Sequence, residues 1–543
     1  MTIGEKLYLI RTERSISQES LAEALGVSRQ SVSKWELGES VPVLDKISAI
    51  CSYFNISYDD LLSEDMEIVP KKNLITLPPL SGEKNKYFGT DGFRGEVNVG
   101  LTSEQAYKVG RILGWYYSER APIGKRPRVV IGKDTRRSSY MLEYSIISGL
   151  CASGADVYML HVITTPGVSY ITGCDGFDLG IMITASHNPY HDNGIKLLNE
   201  RGEKIDDEVT AVVERYLDGK LSEIGIEGED IPYATGERIG KITDYSAGRH
   251  RYIGYLISLA SHSQKSMRIG LDCANGAAWS IAPAVFNALG AEIITTGCEP
   301  NGVNINRGVG STHIENLIAL VKKNRLDVGF AFDGDADRCI AVDSVGNVVD
   351  GDKIMYILAK SLKERGALEG NRIALTVMSN AGLLSALKSE GIGFDITPVG
   401  DRYVYERMNE QGYTLGGEQS GHIILRKHAT TGDGLLTALM ITEEMLSKKA
   451  SLKSLASAVT IYPSILKNVP VSDMDAVMHD EDVRAALENV KAALGSRGKV
   501  LLRKSGTEPL IRILVESEIG RECEAYIKQI YDAIKSKGYT LEP

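Results

Sequence analysis

The chain has 543 residues, 43% of them hydrophobic and 24% charged, with a formal net charge of −10. That length asks for several domains, roughly three to five, and the acidic balance excludes broad, sequence-independent coating of nucleic acid. Seven scattered cysteines (51, 151, 174, 273, 298, 339 and 523) without a CxxC, and no apolar signal region or membrane-length run, exclude a disulfide scaffold and a membrane partner and predict a cytoplasmic protein.

Residues 1–65 read as a small helical module. Leu7, Ile10, Leu21, Leu25, Val32, Trp35, Ile47, Ile50 and Phe54 recur at helical spacings in short blocks. Ser17 can cap a helix from Gln18 to Leu25 that Gly26 ends, and Ser28 can cap a second from Arg29 to Glu36 that Gly38 stops. Two short helices across a glycine turn make a helix-turn-helix pattern. The stretch 17–36 resembles the Cro/C1-type repressor family. The resemblance implies that Gln18 holds a DNA phosphate and that Arg29, Gln30 and Lys34 face the major groove, contacts those side chains suit. It also implies a homodimer. The module nevertheless holds six Lys/Arg against eleven Asp/Glu, a net of −5, whereas DNA-binding modules are usually basic. A protein-interaction or vestigial role is the other reading. Residues 66–85, dominated by Pro, Gly and Lys without a sustained period, read as a linker.

Phe88-Gly89-Thr90-Asp91-Gly92-Phe93-Arg94-Gly95 packs three glycines, a carboxylate and an arginine into eight residues. Such a loop lets backbone approach a phosphate while the guanidinium pairs with it. Beyond it, strand-like runs at 128–132, 157–160 and 179–183 alternate with a helical stretch at 140–153, which predicts an α/β domain with a mostly parallel sheet. The run 179–183 is short, continuous and apolar, hence a buried strand. It leads into Thr184-Ala185-Ser186-His187-Asn188-Pro189. Ser186 would stand at the strand end where α/β sheets bind ligands; alone, the hexapeptide fits an ordinary turn equally well. Asp192-Asn193-Gly194 is expected to form a tight turn that folds Lys196 back toward the serine. A desolvated lysine there can act as acid or base; a surface lysine after a hairpin is the alternative.

A strand at 327–332 ends in Asp333-Gly334-Asp335-Ala336-Asp337-Arg338. Three carboxylates at alternate loop positions converge, and an all-oxygen set suits Mg²⁺. Without a cation they repel one another, which leaves a solvated acidic loop as the other reading. An EF-hand is excluded, because its sixth position is Arg338 and its twelfth Ser344. Gly416-Gly417-Glu418-Gln419-Ser420-Gly421-His422 offers a polar grip for a ligand with many hydroxyls, and Val399-Gly400-Asp401-Arg402-Tyr403 is a second polar loop. Arg503-Lys504-Ser505-Gly506-Thr507-Glu508-Pro509-Leu510-Ile511-Arg512 sets two arginines, two hydroxyls and a glycine N–H on one turn. That is a nest for a phosphate, or else a capped surface turn.

A loop serine, a cation cluster, a hydroxyl grip and a phosphate nest are the parts of phosphoryl transfer on a sugar phosphate. Acyl transfer fits poorly: Ser186 has no Gly-x-Ser-x-Gly elbow, and that chemistry needs no metal cluster. From about Lys86 to the end, five motifs (88–95, 184–189, 333–338, 417–422 and 503–512) resemble the α-D-phosphohexomutase family in order and separation. The resemblance implies three similar α/β domains and a smaller C-terminal α+β domain around one cleft, preceded here by the small all-α module. The implied boundaries are 86–245, 246–345, 346–455 and 456–543.

It implies, too, that Ser186 carries a phosphate which, with Asp333, Asp335 and Asp337, holds Mg²⁺. The phosphate would pass to the sugar, giving a bisphosphate that turns round and returns its other phosphate to Ser186; a sugar bisphosphate would prime the enzyme. Lys196 and His187 would be the acid–base groups, and Arg94 and Arg338 would steady the active phosphate. Glu418 and Ser420 would hold sugar hydroxyls, with His422 nearby, and Arg503, Ser505, Gly506, Thr507 and Arg512 would hold the non-reacting phosphate. Gln419 and the pair Asp401-Arg402 resemble the glucosamine branch. The expected activity is therefore interconversion of glucosamine 6-phosphate and glucosamine 1-phosphate for cell-envelope precursors. A glucose or mannose phosphomutase, and a sugar-phosphate-sensing transcription regulator, are the alternatives. Lys504, Phe93 and Ala336 depart from the commoner Pro, Ile and Gly without removing a ligand.

Overall fold

The computed structural model describes residues 2–13, 16–54, 56, 58–62, 86–89, 92–122, 125–226, 228–505 and 509–541. The linker assigned to 66–85 lies outside them, as do Gly506 and Thr507. Local capping shapes the N-terminal module. Ser17 accepts from the Ser20 N–H to start the helix Gln18–Leu25, and Gly26, at φ 61°, ends it by donating back to Ala22 and Glu23. Ser28 does the same for Arg29–Glu36 through the Ser31 N–H. With Ile3–Glu13, Leu44–Phe54 and Tyr58–Leu62, five helices bury Leu7, Ile10, Leu21, Val32, Ile50 and Phe54.

A Cβ on Gly4 would sit 2.1 Å from the Trp35 carbonyl, so only glycine lets the first and third helices meet. Arg11 donates to both Glu36 oxygens, at 2.5 and 2.9 Å, and Gln18 donates to the same carboxylate at 2.7 Å. Both members of the ion pair are buried. Glu36→Ala strands that arginine and is expected to cost the module about 3 kcal/mol. An earlier thermal transition followed by circular dichroism would register it, and an unchanged melt would show the pair to be dispensable.

Contacts divide the chain into two bodies: residues 1–162, 168–185 and 191–249, and residues 163–167, 186–190 and 250–543. In the first, a seven-stranded sheet runs in the order Phe88–Gly89, Gly92–Glu96, Asp192–Leu198, Leu179–Ile183, Arg128–Lys133, Asp156–Val162, Ile242–Asp244. The last four strands are mutually parallel, whereas the first three pair antiparallel. The sheet is thus half parallel rather than mostly so. The expected turn at Asp192-Asn193-Gly194 is instead strand, because Asn193 and Gly194 pair with Gly95 and Arg94 across the ladder. The chain reverses earlier, over 186–191.

The second body holds three sheets. In one, Val328–Phe332 lies parallel to Arg268–Asp272 and antiparallel to Cys339–Asp343. In the next, Arg372–Thr376 is parallel to Gly393–Thr397 and Leu415–Gly417, and Leu415–Gly417 is antiparallel to Ile423–Leu425. The last is a three-stranded antiparallel sheet of Ser464–Pro470, Leu510–Ser517 and Gly498–Lys504, backed by the helices Glu481–Leu494 and Glu522–Ser536. The architecture is three α/β sheets and a smaller α+β sheet after an all-α module. One device recurs in all four: a strand, a short connecting segment, then an antiparallel neighbour hydrogen-bonded to that strand. Among the described residues no helix is long and apolar enough to cross a membrane, and no disulfide joins any of the seven cysteines.

Candidate active site

Ser186 stands three residues beyond the buried strand Leu179–Ile183, 1% exposed, with φ at 51°. A left-handed φ is uncommon for a residue with a Cβ and is sustained only where the surroundings hold it. The hydroxyl donates to Asp333 Oδ2 at 2.6 Å and lies 3.3 Å from His187 Nδ1. Asp333, Asp335 and Asp337 each place an oxygen within 4.8 Å of the others, and all three are buried. Burial first, then the charges of Asp337 and Asp335, drives the Asp333 carboxyl well above its ordinary range. Three buried carboxylates plus a hydroxyl are hard oxygen donors, and a divalent cation would offset that mutual repulsion; the donor set fits Mg²⁺.

Two residues hold this arrangement that the motifs did not reveal. Thr165 donates its hydroxyl to Asp335 Oδ2 at 2.5 Å and its N–H to the Asp335 carbonyl at 3.0 Å. Asn306 donates from one amide nitrogen to the Ser186 carbonyl at 2.8 Å and the Asn188 carbonyl at 3.0 Å. Both stand far from their partners in sequence, in segments without a distinctive motif. A polar residue just beyond a strand end, as Thr165 is at the start of the helix Thr165–Cys174 that follows Asp156–Val162, is the one signal that points to either.

Lys196 and Arg94 belong to the first body, half-buried on adjacent strands. Lys196 pairs with Met182 in register and Arg94 with Gly194, whose absent Cβ would sit 3.0 Å from Arg94 Cγ. The entry to the serine loop is anchored in the same body. Fully buried Asp134 accepts from Thr184 Oγ1 at 2.8 Å, Arg136 Nε at 2.8 Å and Ser139 Oγ at 2.9 Å.

Arg338 donates its N–H to Asp333 Oδ1 at 3.3 Å and bridges to His422 in an isolated antiparallel pair. This sets the carboxylate loop beside the 418–422 loop. That loop is closed by Glu418 N–H to the His422 carbonyl and Gly421 N–H to the Glu418 carbonyl, both at 3.0 Å. Glu418 Oε1 accepts from Gly400 N–H at 3.1 Å, joining it to Asp401 at the start of the helix Asp401–Gln411. Arg402 pairs with Glu406 at 2.7 Å. Among the described residues the buried Ser420 Oγ has no hydrogen-bond partner, as a hydroxyl kept for a ligand would stand. Burial works against charging His422, yet Asp337 at 3.7 Å, with Asp401 and Glu418, raises it to about 9.

Arg503 and Arg512 are not on the last turn, as the motif suggested, but face each other across its flanking strands in register. Burial and then Arg512 lower the Arg503 guanidinium. Directly opposed like charges destabilise a sheet, a cost that an anion between the two guanidiniums would relieve. Ser505, 6% exposed, lies 3.5 Å from Arg512 Nη2. Gly506 and Thr507 lie outside the described residues. Arg512→Ala is expected to raise KM for the sugar phosphate by about 10- to 100-fold, the worth of one charge-assisted phosphate contact. Steady-state kinetics measures it, and an unchanged KM would remove the residue from the nest. In the N-terminal module Arg29, Gln30 and Lys34 are exposed on the second helix of the motif, while the Gln18 amide is held by Glu36.

Fold and site together define a phosphohexomutase. The profiles of phosphoglucomutase/phosphomannomutase alpha/beta/alpha domains I, II and III match residues 85–223, 250–346 and 350–462, and that of the C-terminal domain matches 466–533. A helix-turn-helix profile matches 7–61. The chain is 57% identical over 456 residues to a phosphoglucosamine mutase of Lachnospira eligens, covering 84% of this chain and 100% of the relative. The crystal structure of a phosphoglucomutase/phosphomannomutase family protein from Burkholderia thailandensis superposes with a TM-score of 0.68 at 22% identity, covering 84% of this chain and 98% of that one. N-acetylphosphoglucosamine mutase of Aspergillus fumigatus, solved with GlcNAc-6P and magnesium, gives 0.58 at 17% identity, covering 84% and 96%. The chain belongs to the phosphoglucosamine mutase family, isomerases that relocate a phosphoryl group within a sugar phosphate, and it carries a helix-turn-helix domain besides.

Proposed function

We propose that the protein interconverts glucosamine 6-phosphate and glucosamine 1-phosphate through a phosphoserine at Ser186 and a glucosamine bisphosphate. The observation that carries this is the Ser186 hydroxyl, 2.6 Å from Asp333 and beside two further buried carboxylates. Asp333, Asp335, Asp337 and the serine phosphate would hold Mg²⁺, which supplies charge neutralisation on the transferring phosphoryl group. A base, Lys196 or His187, takes the proton from the sugar hydroxyl as its oxygen bonds to phosphorus, and the bond to Ser186 Oγ breaks. After the bisphosphate turns round, Ser186 Oγ attacks the other phosphorus, and the same groups return a proton to the departing sugar oxygen. Arg94 and Arg338 steady the transferring phosphate. Glu418 and Ser420, with His422, Asp401 and Arg402 about them, hold the sugar.

Arg503, Ser505, Gly506, Thr507 and Arg512 keep the idle phosphate. Priming takes a sugar bisphosphate, and the setting is the cytoplasm, upstream of cell-envelope amino sugars. Turnover on glucosamine 6-phosphate is measured beside glucose and mannose 6-phosphates, with Mg²⁺ and a bisphosphate primer. A tenfold preference for glucosamine supports this reading, and equal or better turnover on the hexoses replaces it with a glucose or mannose mutase. A second reading adds DNA binding by a homodimer, on the observation that Arg29, Gln30 and Lys34 stand exposed. A mobility shift against a random duplex pool at low salt tests it, and absence of any shift leaves the enzyme alone.

A further inference from the structure

The Ser186 backbone is bent into a left-handed conformation, and something must hold it there. Asn306 is placed to do so. Its Nδ2 carries two hydrogens and faces two acceptors, the carbonyls of Ser186 and Asn188, at 2.8 and 3.0 Å. The side chain is itself anchored: the Asn306 N–H donates to the Ala274 carbonyl at 2.8 Å, and its own φ is 59°, a conformation asparagine tolerates. Against both the Ser186 carbonyl and the Asn306 amide stands Gly334, inside the carboxylate loop. A Cβ there would lie 2.5 Å from the Ser186 oxygen and 3.0 Å from Asn306 Nδ2. The Gly334 carbonyl in turn accepts from the Ala277 N–H at 2.8 Å, which ties this loop to the segment that anchors Asn306. The serine loop, the carboxylate loop and the 273–277 turn therefore meet at one amide.

We infer that Asn306 is a positioning residue for phosphoryl transfer: by gripping the carbonyls at 186 and 188 it aims Ser186 Oγ at the carboxylate cluster. The inference rests on the phosphoserine reading above. Both hydrogens of the Asn306 amide are directed at these two carbonyls, so its loss is expected to disturb where the serine oxygen points and to leave substrate affinity alone. A displacement of about 1 Å at a reacting atom can cost a factor of about 100 in rate.

The test compares three full-length variants with the wild type. Asn306→Asp keeps the size and removes both donors, Asn306→Ser keeps one donor with a shorter reach, and Thr165→Val removes the hydroxyl on Asp335. Asn306→Asp is expected to lower kcat by about 100-fold. Its KM for glucosamine 6-phosphate stays within threefold of wild type, and rapid-quench transfer from ³²P-labelled Ser186 to sugar slows in parallel. Asn306→Ser recovers part of that loss. Thr165→Val instead raises the Mg²⁺ concentration for half-maximal rate. Wild-type transfer rates in both Asn306 variants overturn the inference, as does a loss carried wholly by KM. If Asn306→Asp does not fold, Asn306→Ser decides alone by the same split between kcat and KM. A wild-type enzyme that labels on Ser186 yet turns over no amino-sugar phosphate would refute the glucosamine assignment, a result distinct from either.

Discussion

Ser186→Ala is expected to abolish mutase turnover, with kcat reduced by about 10⁴-fold or more. The serine oxygen is the only proposed carrier of the phosphoryl group between the two halves of the reaction, so its removal closes the route instead of slowing it. Alanine keeps the Cβ and the left-handed backbone already present at φ 51°, and the site is buried, so the fold should persist. Also lost are the hydroxyl's hydrogen bond to Asp333 and its 3.3 Å contact with His187 Nδ1. A coupled assay with labelled glucosamine 1,6-bisphosphate reads both consequences: no label on the protein and no product. A variant that kept full turnover would sink the phosphoserine mechanism outright, whatever its sugar preference.

Asp335→Asn should come second, at about 10³-fold in kcat with saturating Mg²⁺, the cost of one charged donor in a transition-state clamp. This position separates causes better than Asp333, whose carboxylate also accepts from Ser186. The amide keeps the shape and leaves an oxygen for the Thr165 hydroxyl, which now donates to Asp335 Oδ2. Only one charge of the three is withdrawn. Repulsion inside the cluster falls, so the variant should be no less stable in the absence of cation, while its demand for Mg²⁺ rises. Isothermal titration of the two proteins with Mg²⁺ beside their thermal melts would show both effects. Equal affinity for Mg²⁺ in variant and wild type would take Asp335 out of the metal site.

Much of this site could be read from the chain because its chemistry is local. Asp333, Asp335 and Asp337 lie within five residues on a single loop, and the strand before them announces itself as an unbroken apolar run, buried throughout in Val328–Phe332. Capping by Ser17 and Ser28 is equally local and was legible in the same way. Where a conformation depends on distant pairing, propensity misleads. Asp192-Asn193-Gly194 has the composition of a turn, yet Gly95 and Arg94, about a hundred residues earlier, recruit it into a ladder. Thr165 and Asn306 escaped notice because their partners, Asp335 and Ser186, are 170 and 120 residues away. The opposed arginines at 503 and 512 were seen as members of one turn, because the antiparallel register that sets them face to face is fixed by hydrogen bonds along the whole strand pair.

The strand-loop-strand device found in all four sheets bears on how such enzymes can change. Each loop leaves one strand and enters its hydrogen-bonded neighbour, so its two ends are clamped roughly 5 Å apart, the spacing between paired strands. Length and sequence between the clamps can drift while the sheet beneath keeps its register. With the sugar grip proposed for 418–422, substrate choice and phosphoryl transfer rest on separately clamped segments, so a change confined to 418–422 leaves the strand ends that carry Ser186 and Asp333 in place.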